Sequence, residues 1–396
     1  MKIGIVGCGF VAAFYAKNAR EYPDIQIAGA FDIQAENLKK FCEYYSIPAY
    51  ETLDKLLAEP SIELILNLTN PRSHYAVTKA CLEAGKHVYT EKPVAMDSDQ
   101  AHELLDFANQ KGLRIGCAPC NALGNTAQTI WKAIQEGQIG KVKLVYANYD
   151  DGMIAPKMRP WEWKNEFGVA WPAKDEFEIG CTYEHAAYFL GCLSAIFGPA
   201  RSVTAFASCQ VPDKGIPVDS MAPDFSVGCL EYDDGVVARV TCGLVAPRDK
   251  SLMVVGDKGY LFVRYLRNDS EQVFIRHDTV PKNLKRIENL FNRIRLKFKG
   301  VQNLLPWPID EFLMYEKYPF ALPLSQIEVG DAKRVDFMLG PYDMIQAIKE
   351  NRPHRLTGEF GVHLLEQIEV LQYPEKFGYR RELTSTFPNI QPLQWT

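Results

Sequence analysis

The chain has 396 residues, a formal net charge of −5, 47% hydrophobic residues and 23% charged residues. This length predicts two domains, and the composition is that of a folded globular protein. The acidic balance argues against a general nucleic-acid or membrane-surface binder, and no apolar run approaches the length of a transmembrane helix. The strand pattern at the N-terminus leaves no room for a signal peptide, so we expect the ten cysteines to be reduced thiols in a cytoplasmic protein.

The first segment predicts a strand, a glycine turn and a helix, and reads KIGIVGCGFVAAFYAKNAREY. Within it, Gly7, Gly9 and Ala12 form the pattern G-x-G-x-x-A. The first glycine permits a tight turn, the second lets a pyrophosphate approach the backbone, and the alanine keeps helix and strand close. Free N–H groups at the helix start, where Phe10 and Val11 lie, would then face the phosphate oxygens. The segment predicts dinucleotide binding.

The second predicted strand, residues 25–31, ends at Asp32, about where an acidic residue that binds ribose is expected. Its carboxylate would accept hydrogen bonds from both ribose hydroxyls and repel a 2′-phosphate. Neither Ile33 nor Gln34 offers a cation to hold that phosphate. We therefore expect NAD as cofactor in preference to NADP. A helix N-cap role for Asp32 is compatible, but it does not account for the spacing from Gly7.

Three more predicted strands, at 63–69, 86–90 and 114–118, alternate with helical segments. This alternation predicts a parallel, doubly wound sheet, in which ligands bind beyond the carboxyl ends of the strands. The candidate residues at those ends are Thr69, Asn70, Pro71, His74, Glu91 and Lys92. Lys92 is therefore expected to face the same crevice as the cofactor. The other interpretation of Glu91-Lys92 is an ordinary ion pair at a solvated strand end.

These features together resemble the Gfo/Idh/MocA family of NAD(P)-dependent oxidoreductases. The resemblance covers essentially the whole chain except residues around 265–330. The segments that carry it are GCGFVA at 7–12, Asp32, TNP at 69–71 with His74, EKP at 91–93, EGQIGKVKLV at 136–145 and VVGDKGYL at 254–261.

The resemblance implies an N-terminal Rossmann domain at 1–120 and a C-terminal α/β domain at 121–396 with a large, mostly antiparallel sheet. The second domain would bind substrate, and one face of its sheet would form a homodimer or homotetramer. The family's EKP lysine corresponds to Lys92, near the nicotinamide and the substrate hydroxyl, with Glu91 orienting it or contacting the ribose. We expect burial and the positive nicotinamide to lower the pKa of Lys92, which would make it a proton acceptor or an orienting donor.

A helix is predicted over 178–198, with Thr182 as N-cap and His185 in its first turn. Family members often carry Asp-x-x-x-His here. His185 matches the histidine, but Cys181 stands at the aspartate position. Three assignments stay open: His185 as acid/base with Lys92 assisting, Lys92 alone with His185 holding substrate, or Tyr183 as a phenol whose pKa Lys92 lowers. We favour Lys92 with His185 and keep Tyr183 in reserve. A structural histidine at a helix start is the alternative interpretation of His185.

Two further segments lie outside these motifs. Asn121 follows the last Rossmann strand, where relatives place a residue near the nicotinamide or the substrate, although a turn residue is equally credible. Residues 282–299 predict a basic amphipathic helix of undetermined role. The seven histidines show no ligand spacing, so we expect no metal.

The sequence therefore predicts an NAD-dependent oxidoreductase that transfers hydride between nicotinamide and a secondary alcohol or ketone. The substrate would be a sugar, a cyclitol or a sugar nucleotide. One alternative is an enzyme that oxidises a sugar, eliminates a glycosidic substituent and re-reduces the product, retaining its NAD. The other is a non-catalytic sensor of NAD or sugar on the same fold. The presence of Lys92 argues against the sensor, and Cys181 argues mildly for it.

Overall fold

The structure, a computed structural model, describes residues 1–278, 293, 315–323 and 335–395. Its strands form two sheets, one of five strands and one of nine. The predicted basic helix at 282–299 lies outside these residues except for Arg293. Within the described ranges, no helix is both long enough and apolar enough to cross a bilayer.

The first sheet is parallel throughout, with the strand order β2-β1-β3-β4-β5. Its strands are β1 (Lys2–Val6), β2 (Gln26–Phe31), β3 (Ile62–Asn67), β4 (His87–Thr90) and β5 (Ile115–Cys117). The order reverses direction at β1, which places a topological switch point between β1 and β3. This confirms the predicted doubly wound parallel sheet.

Five helices follow the first four strands of this sheet. They are α1 (Ala12–Ala19), α2 (Ala35–Tyr45), α3 (Leu53–Leu57), α4 (His74–Glu83) and α5 (Ser98–Lys111). Asp97 begins α5 as its N-cap, because its carboxylate accepts from the N–H of Gln100 at 2.8 Å, and Gly112 ends it in the left-handed conformation. The helical crossovers bring the carboxyl ends of all five strands to one edge.

The second sheet has the order β13-β12-β11-β10-β6-β9-β8-β7-β14. Its strands are β6 (Val142–Asp150), β7 (Ala200–Ser208), β8 (Phe225–Tyr232), β9 (Val237–Gly243), β10 (Leu252–Gly256), β11 (Gly259–Val263), β12 (Phe274–His277), β13 (Glu316–Lys317) and β14 (Arg380–Glu382). Only the β6–β9 pair is parallel, which confirms the prediction of a mostly antiparallel sheet.

Helices follow in the rest of the described chain. They are α6 (Asn125–Gln135), α7 (Ala173–Ile179), α8 (Cys181–His185), α9 (Ala187–Phe197), α10 (Leu339–Lys349), α11 (Gly358–Gln372) and α12 (Pro374–Phe377). Helices α9 and α11 are apolar and buried along almost their whole length, and together they cover one face of the second sheet. Its other face carries exposed apolar side chains, among them Leu144 and Phe206.

The helix predicted over 178–198 is divided into three pieces, and Thr182 is not its N-cap. Gly180 interrupts the chain at φ +99°, where a Cβ would lie 2.6 Å from the amide nitrogen of Gln372. The Oε1 atom of Gln372 accepts from the N–H groups of Thr182 and Tyr183, both at 3.2 Å, and so takes the capping role. The Thr182 hydroxyl contacts that of Ser226 at 2.8 Å instead. This tertiary cap has no local sequence signal.

A late segment of the chain returns to the first sheet. Phe337 stacks on Phe14 with ring centroids 5.0 Å apart, and Tyr342 contacts Tyr22 at 4.5 Å. Residues 335–349 therefore pack beside the Rossmann strands, although the predicted division assigns them to the second domain. The division at residue 120 stays a prediction.

Candidate active site

The glycine turn has the shape that a dinucleotide requires. Gly7 has φ +96°, and a Cβ on it would lie 2.6 Å from the backbone of Leu68, so only glycine fits. At Gly9, a Cβ would meet nothing within 4 Å, so open space lies in front of the backbone. No side chain caps the start of α1 at Val11. The turn therefore offers open space and an uncapped helix start to a pyrophosphate.

Asp32 lies directly beside this turn. Its Oδ2 accepts from the N–H of Cys8 at 2.6 Å, and its Oδ1 accepts from the N–H of Gln34 at 2.6 Å. The N-cap residue of α2 is Gln34, so Asp32 does not cap that helix. The neighbouring Ile33 is 91% exposed and provides no positive charge. The carboxylate thus lies between the turn and the position expected for a ribose.

The loop after β3 is shaped by short-range hydrogen bonds. The Asn70 side chain accepts from the N–H of Ser73 at 3.1 Å and begins the 3₁₀ turn Pro71–Ser73. The Thr69 hydroxyl donates to Oδ1 of Asn67 at 2.7 Å. These bonds fix the loop at the carboxyl edge of the first sheet, where the sequence predicts a cofactor contact.

His74 is fully buried, both of its ring nitrogens contact backbone carbonyl oxygens, and its assignment to the cofactor site stays a prediction. Its Nδ1 lies 2.6 Å from the carbonyl oxygen of Pro93, and its Nε2 lies 3.0 Å from that of Thr69. The ring therefore joins the loop after β3 to the loop after β4. It positions both loops without facing the crevice.

Glu91 is buried beneath the loop after β4. One carboxylate oxygen accepts from the Tyr15 hydroxyl at 2.7 Å, and the other accepts from the backbone N–H of Lys92 at 3.1 Å. Of the two predicted roles, orienting Lys92 is the one that the structure shows, and it acts through the backbone of Lys92 and not through its ammonium.

The ammonium of Lys92 pairs with a carboxylate from the other side of the crevice. Its Nζ lies 2.6 Å from Oε2 of Glu184 in α8, and the two side chains are only 11% and 6% exposed. Burial alone would lower the pKa of Lys92, but Glu184 and its other acidic neighbours together outweigh burial and raise that pKa above its ordinary value. The expected lowered pKa is therefore wrong for the protein alone. Lys92 is a stable cation here.

A second carboxyl group, Glu176 in α7, stands next to this pair. Burial and the charge of Glu184 raise the pKa of Glu176 well above its ordinary value. Protonation of Glu176 is therefore favoured, while the hydrogen-bonded partner of Lys92 is Glu184. Two neighbouring carboxyl groups rarely both ionise in such a setting.

His185 lies on the same short helix as Glu184 and is held by Tyr149 and Asp151. Its ring stacks on Tyr149 at 5.2 Å, and its Nε2 lies 3.6 Å from Oδ2 of Asp151. Burial lowers the pKa of His185 to about 3 although Asp151 acts in the opposite direction, so the imidazole is neutral. The sulfur of Cys181 points to the carbonyl oxygen of Cys242 at 3.6 Å. Asp151, at the end of β6, thus supplies the carboxylate that position 181 lacks.

Lys92 does not lower the pKa of Tyr183 as expected, and the reserve role of Tyr183 as catalytic phenol stays a prediction. Its hydroxyl donates to the carbonyl oxygen of Met96 at 3.3 Å, and the ring lines a different pocket with Arg72 and Tyr373. Burial and the nearby Glu369 raise the pKa of Tyr183 instead of lowering it. Adjacent helical residues point in different directions, and here Glu184 takes the inward one.

Asn121 is also buried instead of facing a ligand. Its amide N–H donates to the carbonyl oxygen of Tyr188 at 2.6 Å and to the sulfur of Cys192 at 3.1 Å. The predicted contact with nicotinamide or substrate is therefore not made by this amide N–H. Asn121 holds the start of α9, which carries Tyr188.

Besides Glu176, Glu184 and Asp151, the sequence analysis missed four functional candidates: Tyr149, Tyr188, Lys250 and Arg267. The Tyr149 hydroxyl accepts from Lys250 at 3.2 Å and from Arg267 at 3.1 Å. The Nζ of Lys250 also lies 2.5 Å from Oδ1 of Asp151. Tyr188 lies four residues after Glu184, on the same face of the helical segment, and that i,i+4 spacing is the one local signal that could have found it. The other three come from separate strands and loops.

No group of three or more potential metal ligands occurs in the part of the chain that the structure describes. The site is thus built from cations, carboxylates, a neutral imidazole and aromatic rings. Together with the glycine turn, these residues fit a dinucleotide and a polar organic substrate.

Comparison with known families agrees with this arrangement. Residues 1–118 match the model of the oxidoreductase family with an NAD-binding Rossmann fold, and residues 127–262 match the GFO/IDH/MocA C-terminal domain. The chain belongs to the Gfo/Idh/MocA family. Its members are oxidoreductases, and the match confirms the resemblance inferred from the motifs.

Curated relatives of this family member match over part of their length. A scyllo-inositol 2-dehydrogenase (NADP(+)) of Bacillus subtilis is 26% identical over 53% of this chain and 55% of the relative, so the match spans about half of that protein. A trans-1,2-dihydrobenzene-1,2-diol dehydrogenase of Bos taurus is 23% identical over 65% of this chain and 72% of the relative.

Solved structures share the fold over nearly the whole chain. The aldose-aldose oxidoreductase of Caulobacter crescentus superposes with a TM-score of 0.71 at 17% identity, covering 97% of this chain and 99% of that one. The WlbA dehydrogenase of Bordetella pertussis, solved with NADH and UDP-GlcNAcA, gives 0.67 at 17% identity and covers 97% and 98%.

Proposed function

We propose that this protein is an NAD-dependent dehydrogenase that acts on a secondary alcohol of a sugar, cyclitol or sugar-derived substrate. The observation that carries the proposal is the Lys92–Glu184 ion pair of 2.6 Å at the carboxyl edge of the Rossmann sheet. A cation held there can bind the oxygen of the reacting alcohol or ketone. The relatives named above act on cyclitols, diols and sugars, which supports a polyhydroxylated substrate.

The residues of the crevice divide the proton chemistry between them. The nicotinamide cofactor, when bound, supplies the hydride chemistry. Lys92, kept charged by Glu184, donates a hydrogen bond to the substrate oxygen. His185, which is neutral, accepts the hydroxyl proton, and Asp151 stabilises the imidazolium that forms. Both members of the favoured Lys92–His185 pair thus keep a role, but His185 is the acceptor and Lys92 the donor.

NAD is the proposed cofactor in preference to NADP. The carboxylate of Asp32 lies beside the glycine turn, and the exposed Ile33 provides no cation for a 2′-phosphate. The Asp32 carboxylate and the 2′-phosphate of NADP are both negative, so they would repel each other.

The test is a panel of free sugars, inositols and nucleotide sugars, each incubated with NAD while the absorbance of NADH is followed. We expect at least one substrate class to give NADH. In Lys92→Met, kcat should fall by about 10²- to 10⁴-fold while NAD still binds. The exposed Lys111→Met serves as the control, with unchanged kinetics. Full activity of Lys92→Met would show that the catalytic assignment is wrong.

A second candidate function is oxidation with retained cofactor, and it is favoured by a strap at residues 163–171. The Asn165 side chain lies 3.5 Å from the carbonyl oxygen of Gly9. Phe167 packs edge-on against Phe41 of α2 at 5.6 Å, and Glu166 accepts from the Tyr45 hydroxyl at 2.6 Å. The strap thus joins the second part of the chain to the glycine turn, where it would slow release of a bound dinucleotide.

Cofactor retention is tested on the purified protein. Dinucleotide that survives gel filtration, together with product formation without net NADH, would favour this second function. In Phe167→Ala, we then expect faster dissociation of NADH than in the wild type. If NADH dissociates freely from the wild-type protein and accumulates during turnover, the protein is a simple dehydrogenase and the second function is wrong.

We also propose a cytoplasmic location and a homo-oligomer. All ten cysteines are free thiols, eight of them buried, as a reducing compartment permits. The exposed apolar side chains on the outer face of the second sheet would be covered by a second copy of the chain.

A further inference from the structure

Arg267 presents unused hydrogen-bond donors inside the substrate site. It lies between β11 and β12, and its guanidinium carbon lies 3.9 Å from the centre of the Tyr188 ring. One nitrogen donates to the Tyr149 hydroxyl at 3.1 Å, whereas Nε is buried without a partner. A guanidinium has five N–H donors arranged as a planar fork. Among the described residues, the remaining donors of this guanidinium have no hydrogen-bond partner.

The ion pairs of the site leave this guanidinium without a carboxylate. Lys92 pairs with Glu184 at 2.6 Å, and Lys250 pairs with Asp151 at 2.5 Å. Among the described residues, Arg267 has no carboxylate oxygen within 4.0 Å. Glu91, a third carboxylate near Lys92, accepts from the Tyr15 hydroxyl and from the backbone N–H of Lys92, and it does not pair with the guanidinium either.

The other titratable groups of the site do not pair with Arg267. Burial and the charge of Glu184 raise the pKa of Glu176 well above its ordinary value, and burial lowers the pKa of His185 to about 3. The Asp269 carboxylate accepts from the backbone N–H of Asp336 at 3.0 Å, and burial raises the pKa of Asp269 to about 7. No described carboxylate pairs with the guanidinium, so an anionic ligand would supply the partner that this buried cation lacks.

The position of Arg267 relative to Lys92 suits a single small substrate. The Nζ of Lys92 lies 6.0 Å from the centre of the Tyr188 ring that Arg267 contacts at 3.9 Å. Both cations therefore border the same aromatic side chain. A molecule with its reacting hydroxyl at Lys92 can reach Arg267 with another group.

We propose that the substrate carries a carboxylate and that Arg267 binds it in a bidentate manner while the reacting hydroxyl lies at Lys92. The substrate class is thus a sugar acid instead of a neutral sugar or inositol. A carboxylate would give the guanidinium the charged partner that it lacks among the described residues. Planar carboxylates fit the guanidinium fork. This inference rests on the proposed dehydrogenase function and names its substrate.

The first test uses the wild-type protein with matched substrate pairs. Each hexose is compared with the hexuronate that differs from it only by CH₂OH becoming COO⁻, and with its 6-phosphate. We expect kcat/KM for the uronate to exceed that for the hexose by about 10- to 100-fold. Equal or better use of the neutral sugar overturns the proposal. Preference for the 6-phosphate overturns the choice of a carboxylate.

The second test locates the preference in Arg267. In Arg267→Met, the ratio of kcat/KM for uronate to that for hexose should fall to about one, mainly through a higher KM for the uronate. The control is Arg264→Met, because Arg264 lies on the same segment with a side chain 71% exposed, and its ratio should stay unchanged. If both variants fold and the uronate-to-hexose ratio of kcat/KM is unchanged in Arg267→Met, the assignment of carboxylate binding to Arg267 is wrong.

The outcomes separate this inference from the dehydrogenase proposal. If NAD titration shows binding and the neutral hexose is oxidised at least as efficiently as its uronate, the dehydrogenase remains and the sugar-acid proposal is wrong. If NAD does not bind and no member of any pair yields NADH, the dehydrogenase proposal itself is wrong.

Discussion

Lys92 and Glu184 form an ion pair of 2.6 Å although they are 92 positions apart and fall in segments matched by two different family models. The pair connects the strand end that carries the lysine to the helix start that carries the glutamate. It determines the charge of the residue that is expected to contact the substrate oxygen. The consequences can be measured.

Replacement of Glu184 by glutamine should convert Lys92 from a stable cation into a readily deprotonated amine. The variant removes the largest contribution that opposes burial, so the pKa of Lys92 should fall and the alkaline limb of the kcat/KM profile should move to lower pH. Loss of one partner of a buried pair should also lower the free energy of unfolding by about 3 kcal/mol. The exposed Glu162→Gln is the control. An unmoved alkaline limb would contradict this electrostatic role.

Alanine at the two glycines of the turn should have opposite effects on stability and binding. Gly7→Ala places a Cβ 2.6 Å from the Leu68 backbone at φ +96°, so the free energy of unfolding should fall by at least about 1–2 kcal/mol. Gly9→Ala meets nothing in the protein, so its thermal unfolding should match the wild type while NAD affinity falls. Thermal melts and NAD titrations measure both. Tight NAD binding by Gly9→Ala would place the pyrophosphate elsewhere.

Removal of the Asp32 carboxylate should weaken the preference for NAD. Asp32→Ala loses the ribose acceptor and the charge that repels a 2′-phosphate, so the ratio of Kd values for NADP and NAD should fall by about tenfold or more. Titration of the two dinucleotides by fluorescence gives the ratio. Asp54→Ala, an exposed carboxylate in α3, should leave it unchanged. A wild type that already binds NADP more tightly would rule out the NAD assignment.

A charge on the outer face of the second sheet should dissociate the proposed oligomer. Phe206, on β7, is 53% exposed, and Leu144, on β6, is 40% exposed. The double variant Phe206→Asp/Leu144→Asp should elute as a monomer, because burial of two carboxylates in an apolar interface is costly. Light scattering coupled to gel filtration measures the mass, and Met221→Asp in an exposed loop is the control. A monomeric wild type would contradict the prediction.

The elements of the Rossmann half could be predicted because their signals are local. Apolar runs bounded by turn residues indicated β1 to β5 within one or two residues of their observed ends. The second half gave weaker signals, since Gly180 divides a continuous apolar pattern and Gln372, almost 200 residues later, caps the next helix. Such a cap depends on α11 packing against α8.

The same difference between local and long-range signals applies to the candidate site. Lys92 and His185 could be found from short motifs, whereas Asp151, Lys250 and Arg267 lie at the end of β6, just before β10 and after β11. Only pairing of β10 with both β6 and β11 brings these strands together. The hydrogen bonds of His74 and Asn121 to distant backbone carbonyl groups could not be predicted, because burial of a polar side chain depends on the surrounding backbone.

The sequence by itself determined the dinucleotide turn, the parallel sheet and the choice of Lys92 as a candidate site residue at a strand end. Glycine geometry and apolar periodicity act between near neighbours, so these features have local signals. Only the tertiary structure decided the charge of Lys92, the carboxylate beside His185 and the unpaired guanidinium of Arg267. Electrostatic interactions depend on distance in space, and the partners involved are separated by long stretches of chain.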